Sequence, residues 1–397
     1  MKHLIKCLFL LFFALHAHAL DRVDLHAHLF MHEGVGLSWM GSFTGPIRSE
    51  HWQDRLHSKV NAEALELSGS QLVAVALYSH PLFLGSERNS IRRQIATAEA
   101  FVVSHPDWVI ARSLPEARQA KAAGKKILIF TLEGADGILE SEADLKEFID
   151  EQGIRIVTPL HFIDDQFGGA ALMPPKNAFV NPFAWIRSFF RDKDVEGARL
   201  NDRGLTSRGE WLIRALLARG VWIDLSHSSD ASQRGMREWI EKADQPLLYT
   251  HTMLRRFYHS ERGVSAEQLK LVRQSGGIIG LLPSEDMMAG TQVEASACAQ
   301  PCGQTCMGGV PALVEQFKEV SRVVGPDSVS LGTDINAPLN FIQPDCAHPE
   351  ADTRGFYQYG QLGELWDAMR ERGIGSKNLP GLTLEKFFQV WGRVRPN

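Results

Sequence analysis

A short segment near the start of the chain decides its fold: Arg22-Val23-Asp24-Leu25-His26-Ala27-His28. Its apolar residues predict a β-strand over Arg22–His26 with a polar end. Side chains two residues apart point to the same face of a strand, so the imidazoles of His26 and His28 can face one metal ion. The same pattern, an apolar strand followed by histidine or a carboxylate, recurs along the chain.

Seven further runs rich in Val, Ile and Leu follow, separated by amphipathic helical patterns. The strands predicted from them are Leu72–Ser79, Lys126–Glu133, Arg155–His161, Val221–His227, Pro246–His251, Gly277–Leu282 and Val329–Asp334. Runs that are apolar throughout are typical of strands buried on both faces. Eight such strands alternating with helices predict the α/β class and a (β/α)8 TIM barrel. No Pro/Ser linker or charge run divides residues 20–397, which are expected to form one domain.

Two helical patterns and two long connections are also predicted. Ser207 and Glu210 form a capping-box pattern before a helix, and Val310–Val324 has apolar residues at helical spacing. The connections over about Phe30–His57 and Ile163–Gly204 exceed the usual loop lengths. Each is expected either to form a lid or pocket wall, or to pack as an apolar cluster over the barrel rim.

The composition indicates a soluble globular protein. The chain has 397 residues, of which 44% are hydrophobic and 22% charged, with a formal net charge of −5. A disordered chain would be poorer in apolar residues, and no collagen or coiled-coil repeat is present. The mild acidity argues against a nucleic-acid-binding surface, which normally carries a basic excess.

Residues 1–19 have the composition of a signal peptide. Lys2 and Lys6 precede an apolar run, and Ala17-His18-Ala19 fits the small-x-small cleavage rule. The run is too short for a permanent membrane span. Cleavage would leave 378 residues without two lysines, taking the net charge from −5 to −7. The mature protein is therefore expected to be periplasmic or secreted, with no membrane span.

Export changes the interpretation of the cysteines. The mature chain would keep Cys298, Cys302, Cys306 and Cys346. An even number of cysteines in an oxidising compartment favours two disulfides over a metal cluster. Four cysteines allow three pairings, and the sequence does not choose among them.

Polar residues that suit a metal stand at the carboxyl ends of the predicted strands, where active sites of this fold lie. Besides His26 and His28, they are Glu133, His161, His227, His251 and Asp334. Five of the twelve histidines of the mature chain stand at these ends. Imidazole and carboxylate ligands suit zinc, and two ions would need a bridging carboxylate.

The sequence resembles the membrane dipeptidase (renal dipeptidase) family of the amidohydrolase superfamily. The segments that carry the resemblance are Gly204-Leu205-Thr206, Ile223-Asp224-Leu225-Ser226-His227, Tyr249-Thr250-His251, Ser260-Glu261-Arg262-Gly263-Val264 and Ser330-Leu331-Gly332-Thr333-Asp334. The likeness runs from about residue 21 to the last helix. It implies a barrel of the metal-dependent hydrolase type that cleaves dipeptides, and a homodimer.

Carried over by position, the resemblance also implies two zinc ions per chain and a role for each residue. One ion would be held by His26, His28 and Asp334, the other by His227 and His251, with Glu133 bridging them. His161 would polarise the substrate, and Arg262 would receive its terminal carboxylate. Without the resemblance, a surface salt bridge would be the expectation for Arg262.

One position departs from the family, which has aspartate where this chain has His28. Other amidohydrolases use His-x-His there, so the position can still bind metal. The mechanistic hypothesis is attack of a metal-bridging hydroxide on the amide, with Asp334 transferring the proton. The alternatives are an amidohydrolase acting on an ester, lactone, cyclic amide or N-acyl amino acid, and a non-catalytic metal-binding or receptor-like secreted barrel.

Overall fold

The computed structural model describes residues 21–49, 54–79, 86–288, 309–339, 341–342 and 355–396. The predicted leader and all four cysteines of the mature chain lie outside these residues. The described part contains nine strands: β1 (Val23–Ala27), β2 (Leu72–Tyr78), β3 (Trp108–Ile110), β4 (Lys126–Glu133), β5 (Ile156–Thr158), β6 (Trp222–Ile223), β7 (Leu248–Thr252), β8 (Ile278–Leu281) and β9 (Val329–Leu331).

Helices follow most of the strands. The α-helices in the described part are α1 (Met31–Val35), α2 (Ala62–Leu67), α3 (Glu87–Ser104), α4 (Leu114–Ala122), α5 (Glu142–Leu145), α6 (Pro182–Ser188), α7 (Ser207–Ala218), α8 (Asp230–Lys242), α9 (Arg255–Tyr258), α10 (Ala266–Ser275), α11 (Glu285–Met288), α12 (Gly309–Val324), α13 (Leu362–Glu371) and α14 (Leu384–Trp391). None of the helices in the described ranges is both long and apolar enough to cross a membrane.

The strands form the predicted barrel. Eight parallel strands pair in the order β6-β5-β4-β2-β1-β9-β8-β7. The ends of this order meet where Asp224 bridges to Leu248, and the Leu225 amide donates to the Leu248 carbonyl at 2.9 Å. The (β/α)8 fold is therefore confirmed. Strand β3 pairs with β4 outside this order and was not predicted, because three residues are too few to show a strand pattern.

Two local predictions need correction. Strands β5 and β6 are shorter than predicted: β6 ends at Ile223, and a turn follows before His227, which has a φ of 63°. Helix α7 begins as predicted, but its cap is Thr206 and not Ser207. The Thr206 hydroxyl accepts a hydrogen bond from the Gly209 amide at 3.0 Å, because Thr206 is the last residue with extended backbone.

The apolar core divides into two main parts. The larger part fills the space between the strands and the surrounding helices. The smaller part joins residues at the beginnings of strands, such as Leu72 and Ile278, to Phe387 and Trp391 of α14. Helix α14 therefore covers the amino-terminal end of the barrel, and the other end remains for a functional site.

Candidate metal centre

The structure brings the eight predicted site residues together at the carboxyl ends of the strands. Strands β1, β4 and β7 carry His26, Glu133 and His251, respectively. Of the other five, four follow strands, namely His28, His161, His227 and Asp334, whereas Arg262 follows α9. All except His161 are buried, and His161 is partly exposed. Their roles as ligands and catalytic groups stay predictions.

One group of candidate ligands joins the ends of β1, β4 and β9. The His28 Nε2 atom lies 3.2 Å from Glu133 Oε2 and 3.1 Å from Asp334 Oδ1. The His26 Nε2 atom lies 3.4 Å from Glu133 Oε1 and 3.8 Å from Asp334 Oδ1. One atom from each of these four residues lies within 4.8 Å of the others, so a single ion could contact all four.

A second group shares Glu133 with the first. The Nε2 atoms of His227 and His251 each lie 3.2 Å from Glu133 Oε1 and 2.9 Å from each other. Glu133 is therefore the carboxylate common to both groups, which is the position that a bridging ligand must occupy. The two groups correspond to the two sets of ligands that the resemblance implies.

The buried atoms of this cluster fit a metal ion. His26 Nε2, Glu133 Oε1 and Asp334 Oδ1 are buried and have no hydrogen-bond partner among the described residues. Unsatisfied buried polar atoms of this kind cost free energy unless a ligand satisfies them. A divalent cation would accept lone pairs from all three and balance the charge of the two carboxylates.

The charges within the cluster shift several pKa values. Burial lowers the pKa of His28, but the carboxylates of Asp334 and Glu133, 3.1 and 3.2 Å from its Nε2, outweigh it and raise the pKa to about 10. Burial lowers the pKa of both His227 and His251 well below the ordinary range, and the positive charge of Arg262 adds to this. Burial opposes ionisation of Glu133, yet the surrounding histidines hold its pKa well below the ordinary range.

Two buried aspartates next to the candidate ligands join neighbouring strand ends by hydrogen bonds. Asp24 accepts hydrogen bonds from the Thr333 amide and hydroxyl, which tie β1 to the segment after β9. Asp224 accepts the equivalent pair from Thr250, across the gap between β6 and β7. Asp224 also lies near His26 and His251, but donors occupy both of its oxygens, so it is not free to bind a metal.

Sequence reasoning gave these two aspartates no role. The available signal was that each stands two residues before a polar residue at a strand end, as in Asp24-x-His26 and Asp224-x-Ser226. An isolated buried aspartate would be costly, and the threonines that satisfy it lie on other strands. The hydrogen bonds between these aspartates and the threonines are therefore apparent only in the folded barrel.

Arg262 reaches the cluster from the segment after α9. It is 4% exposed, so a surface salt bridge, the expectation from the sequence without the resemblance, is wrong. One guanidinium nitrogen, Nη1, donates to the His251 carbonyl at 3.0 Å, and the other, Nη2, lies 2.9 Å from His227 Nε2. Its Nε atom has no hydrogen-bond partner among the described residues. His161 also lies beside His227, with ring centroids 4.4 Å apart, and its Nε2 atom is 3.5 Å from Glu133 Oε2.

A buried carboxylate holds the long connection after β5 against this segment. Glu261 accepts hydrogen bonds from the backbone amides of Leu172, Asn201 and Asp230 at 2.8–2.9 Å. The next residue along the chain is Arg262, so these bonds fix the connection and the arginine relative to each other. Four of the five phenylalanines in this connection, residues 163–204, are exposed, and Phe167 is buried in the larger part of the core. The predicted apolar cluster is found in a small form, with Leu172, Ala184 and Trp185.

A small pocket of about 100 Å³ opens beside His28 and Asp334. The first long connection supplies part of its wall, as the sequence interpretation of a pocket wall expected, through Met31, His32, Leu37 and Leu56. Tyr78 and Phe162 line the pocket from β2 and from the residue after His161. Apart from the candidate ligands, His161 and His32, the described side chains that line it are uncharged and mostly apolar.

A parallel barrel that buries histidines and carboxylates at the carboxyl ends of its strands defines the class of metal-dependent (β/α)8-barrel enzymes. The chain belongs to the membrane dipeptidase family, peptidase family M19, whose family model matches residues 20–396. The family expected from the sequence is confirmed.

Individual relatives are distant in sequence. Dipeptidase 3 of Rattus norvegicus is 23% identical over 194 residues, which cover 49% of this chain and 34% of that protein. Dipeptidase ataJ of Aspergillus terreus is 23% identical over 248 residues, which cover 62% of this chain and 55% of that protein. The matches thus span between a third and about half of the length of these relatives.

Solved structures match almost the whole chain. A metallopeptidase from Rhodobacter sphaeroides, liganded with a phosphinate mimic of the dipeptide L-Ala-D-Ala, superposes with a TM-score of 0.68 at 16% identity, covering 95% of this chain and 99% of that chain. The probable dipeptidase PvdM from Pseudomonas aeruginosa gives a TM-score of 0.65 at 14% identity, covering 95% of this chain and 96% of that chain. At these identities the likeness shows the fold.

Proposed function

We propose that the protein hydrolyses the peptide bond of dipeptides with two zinc ions held by the buried cluster. The observation that carries the proposal is the position of Glu133, which belongs to both groups of candidate ligands. His26, His28 and Asp334 would hold one ion, and His227 and His251 the other. Bound together, the ions would supply a hydroxide nucleophile near neutral pH and an electrophile for the amide carbonyl.

Asp334 is the group proposed to move the proton. Its Oδ1 atom faces His28 at 3.1 Å, so the second oxygen, Oδ2, is proposed as the proton acceptor. The carboxyl would take the proton of the attacking water and deliver it to the leaving amine, as a general base and then a general acid. His161, beside Glu133 and Phe162, would donate a hydrogen bond to the oxygen of the substrate carbonyl as charge develops on it.

Arg262 is proposed to bind the terminal carboxylate of the substrate. In the structure its Nη2 donates a hydrogen bond to Nε2 of His227. The Nε2 lone pair that accepts this bond is the one that a metal ion would use. An ion at His227 would therefore displace this hydrogen bond and leave guanidinium donors for a carboxylate. Because the guanidinium is buried beside the cluster, the carboxylate would have to lie close to the reacting bond. The short separation between Arg262 and the cluster would restrict the substrate to short peptides.

The apolar pocket suggests where the other end of the dipeptide lies. It borders His28, Asp334 and His161, whereas Arg262 lies beside His227 and His251. With the carboxylate at Arg262, the amino-terminal residue would extend toward the pocket. We also propose that the mature protein acts in the periplasm or outside the cell. The support is the leader-like composition of residues 1–19.

The test combines a metal analysis with a substrate panel. Purified protein should contain close to two equivalents of zinc per chain, and chelation should abolish activity that zinc restores. The panel comprises L,L- and L,D-dipeptides, their amidated forms, N-acyl amino acids and lactones. Preferred turnover of free dipeptides supports the proposal. Preferred turnover of lactones or N-acyl amino acids would support the second candidate, another amidohydrolase, which the imidazole at position 28 favours. Absence of bound metal after metal-replete preparation would overturn both.

A further inference from the structure

One threonine hydroxyl touches a candidate ligand from each of the two groups. Thr250 Oγ1 lies 3.1 Å from Nδ1 of His26 and 2.9 Å from Nδ1 of His251. The first histidine belongs with His28 and Asp334, and the second belongs with His227. The two imidazole rings lie with their centroids 3.8 Å apart, and the hydroxyl stands between their far nitrogens.

The hydrogen bonds around this hydroxyl determine where the protons lie. Thr250 Oγ1 donates its one proton to Asp224 Oδ2 at 2.6 Å. Asp224 also accepts from the Thr250 amide, from the Ser226 amide and hydroxyl, and from the Thr158 hydroxyl, so it serves as an acceptor throughout. The Thr250 oxygen is left with two lone pairs, which accept from Nδ1–H of His26 and of His251.

This arrangement selects one tautomer for both rings. With the proton on Nδ1, each ring directs the lone pair of Nε2 at Glu133, where a metal would bind. Thr250, Asp224 and both histidines have at most 1% of their surface exposed. Because water has no access there, it cannot replace the hydroxyl as an acceptor, and the wrong tautomer would leave a buried N–H or lone pair unsatisfied.

We infer that Thr250 is a positioning residue for both metal sites, fixing the Nδ1–H tautomer and the ring orientation of one ligand in each. This inference rests on the proposed two-ion centre and adds a residue to it. Groups behind a metal ligand typically contribute about 10- to 100-fold in metal affinity. Here one hydroxyl should affect both ions together.

The chain contains a matched control at Thr333. Its amide and hydroxyl donate to Asp24 at 3.0 and 2.7 Å, which parallels the bonds of Thr250 to Asp224 at 2.9 and 2.6 Å. Like Thr250, Thr333 joins neighbouring strands and precedes a candidate ligand. The described contacts of its hydroxyl are with Asp24 and with backbone atoms, not with an imidazole.

The experiment measures zinc affinity of the full chain for wild type, Thr250→Val, Thr250→Ser and Thr333→Val. Each protein is stripped of metal, and Zn²⁺ is titrated in competition with a chromophoric chelator. Thr250→Val, which keeps the shape and removes the acceptor, should weaken both zinc sites by about 10- to 100-fold. Thr250→Ser should restore wild-type affinity, and Thr333→Val should bind zinc as wild type does. Thermal unfolding of the metal-free proteins should show a similar loss of stability for both valine variants.

Three results would overturn the inference. They are wild-type affinity in Thr250→Val, weakening of one zinc site alone, and equal weakening in Thr333→Val, which would assign the effect to strand pairing. If Thr250→Val does not fold, Thr250→Cys supplies a poorer acceptor of similar shape, and the same criteria apply. A wild-type protein that binds no zinc would instead overturn the proposed function, so the two failures are distinguishable.

Discussion

The Nε2 atom of His28 lies 3.1 Å from Oδ1 of Asp334, which joins the end of the first barrel strand to the end of the last. The other ring nitrogen, Nδ1, faces the Ala76 carbonyl at 3.1 Å and must carry a proton to donate to it. Glu133 lies 3.2 Å from the same Nε2. Two carboxylates thus surround one imidazole, and without a metal they favour its protonated form.

Zinc binding should therefore release a proton from His28. Its pKa of about 10 means that the ring is protonated at pH 8 in the metal-free protein. A metal ion needs the neutral ring, so binding should displace about one proton from this residue. Calorimetric titration with Zn²⁺ in two buffers of different ionisation enthalpy counts the protons released. Zinc binding to His28→Gln should release about one proton fewer than binding to the wild type. An equal number of protons released by both proteins would contradict the prediction.

Asp334→Asn should reduce turnover without unfolding the protein. The amide keeps an oxygen near His28 but cannot accept the proton of the attacking water. The value of kcat is expected to fall by about 100-fold or more, the usual contribution of a general base. Steady-state kinetics at matched zinc content, with circular dichroism as the folding control, measure the effect. A variant with full zinc content and the wild-type kcat would remove Asp334 from proton transfer.

Arg262→Ala should discriminate between free and amidated dipeptides. Loss of a charged hydrogen bond to the terminal carboxylate is expected to raise KM about 10- to 100-fold for free dipeptides. The KM for amidated dipeptides should rise much less, because these substrates lack the carboxylate. Arg262→Lys keeps the charge without the paired donors and should give an intermediate KM. Equal increases for free and amidated substrates would indicate a structural role, since Arg262 also supports the His251 carbonyl.

His32 should make the protein less stable as the solution becomes acidic. Burial, with the nearby charge of Lys59, lowers its pKa from 6.5 to about 4. Between these values the unfolded chain takes up a proton that the folded chain does not, so the free energy of unfolding falls as pH decreases from 6.5 to 4. The loss is about 3 kcal/mol.

The matched variant for this prediction is His32→Gln, which cannot titrate and can still donate to the Gly41 carbonyl. Denaturant unfolding of the metal-free wild type and variant is measured at pH 7 and pH 4.5. The difference between their free energies of unfolding should shift in favour of the variant at the lower pH. A difference that stays constant over this range would contradict the assigned cause.

The pocket should select the amino-terminal residue of the dipeptide. Its wall contains Met31, Leu37 and Leu56, so apolar amino-terminal residues should be preferred over acidic ones. Leu56 is half exposed, which makes Leu56→Asp tolerable for the fold. This change should lower kcat/KM for an amino-terminal leucine by about tenfold, the usual scale for one altered pocket contact. Varying the carboxyl-terminal residue is the control, and an equal effect there would place the pocket on the other side of the substrate.

Much of the barrel was predictable because its signals are local. The run Lys126–Glu133 is apolar almost throughout and is found as β4 with the predicted bounds. The run Val221–His227 also predicts a strand, yet β6 covers only Trp222–Ile223 and the chain turns before His227, whose φ is 63°. His227 Nε2 lies 3.2 Å from Glu133 Oε1, a tertiary contact that the local sequence pattern does not report.

The sequence by itself determined which chemical groups stand at the strand ends. The alternation of side chains along a strand is local, and parallel strands end at the same side of a barrel, so His26 and Glu133 could be assigned to one site from their positions.

The tertiary structure decided how these groups combine. Thr250 lies between His26 and His251, and Glu261 joins three distant backbone amides next to Arg262. Such contacts connect residues as far apart as Asp24 and Thr333. The sequence does not report the partners in these contacts, because closure of the barrel sets which strand ends meet and excludes the water that would otherwise satisfy these groups.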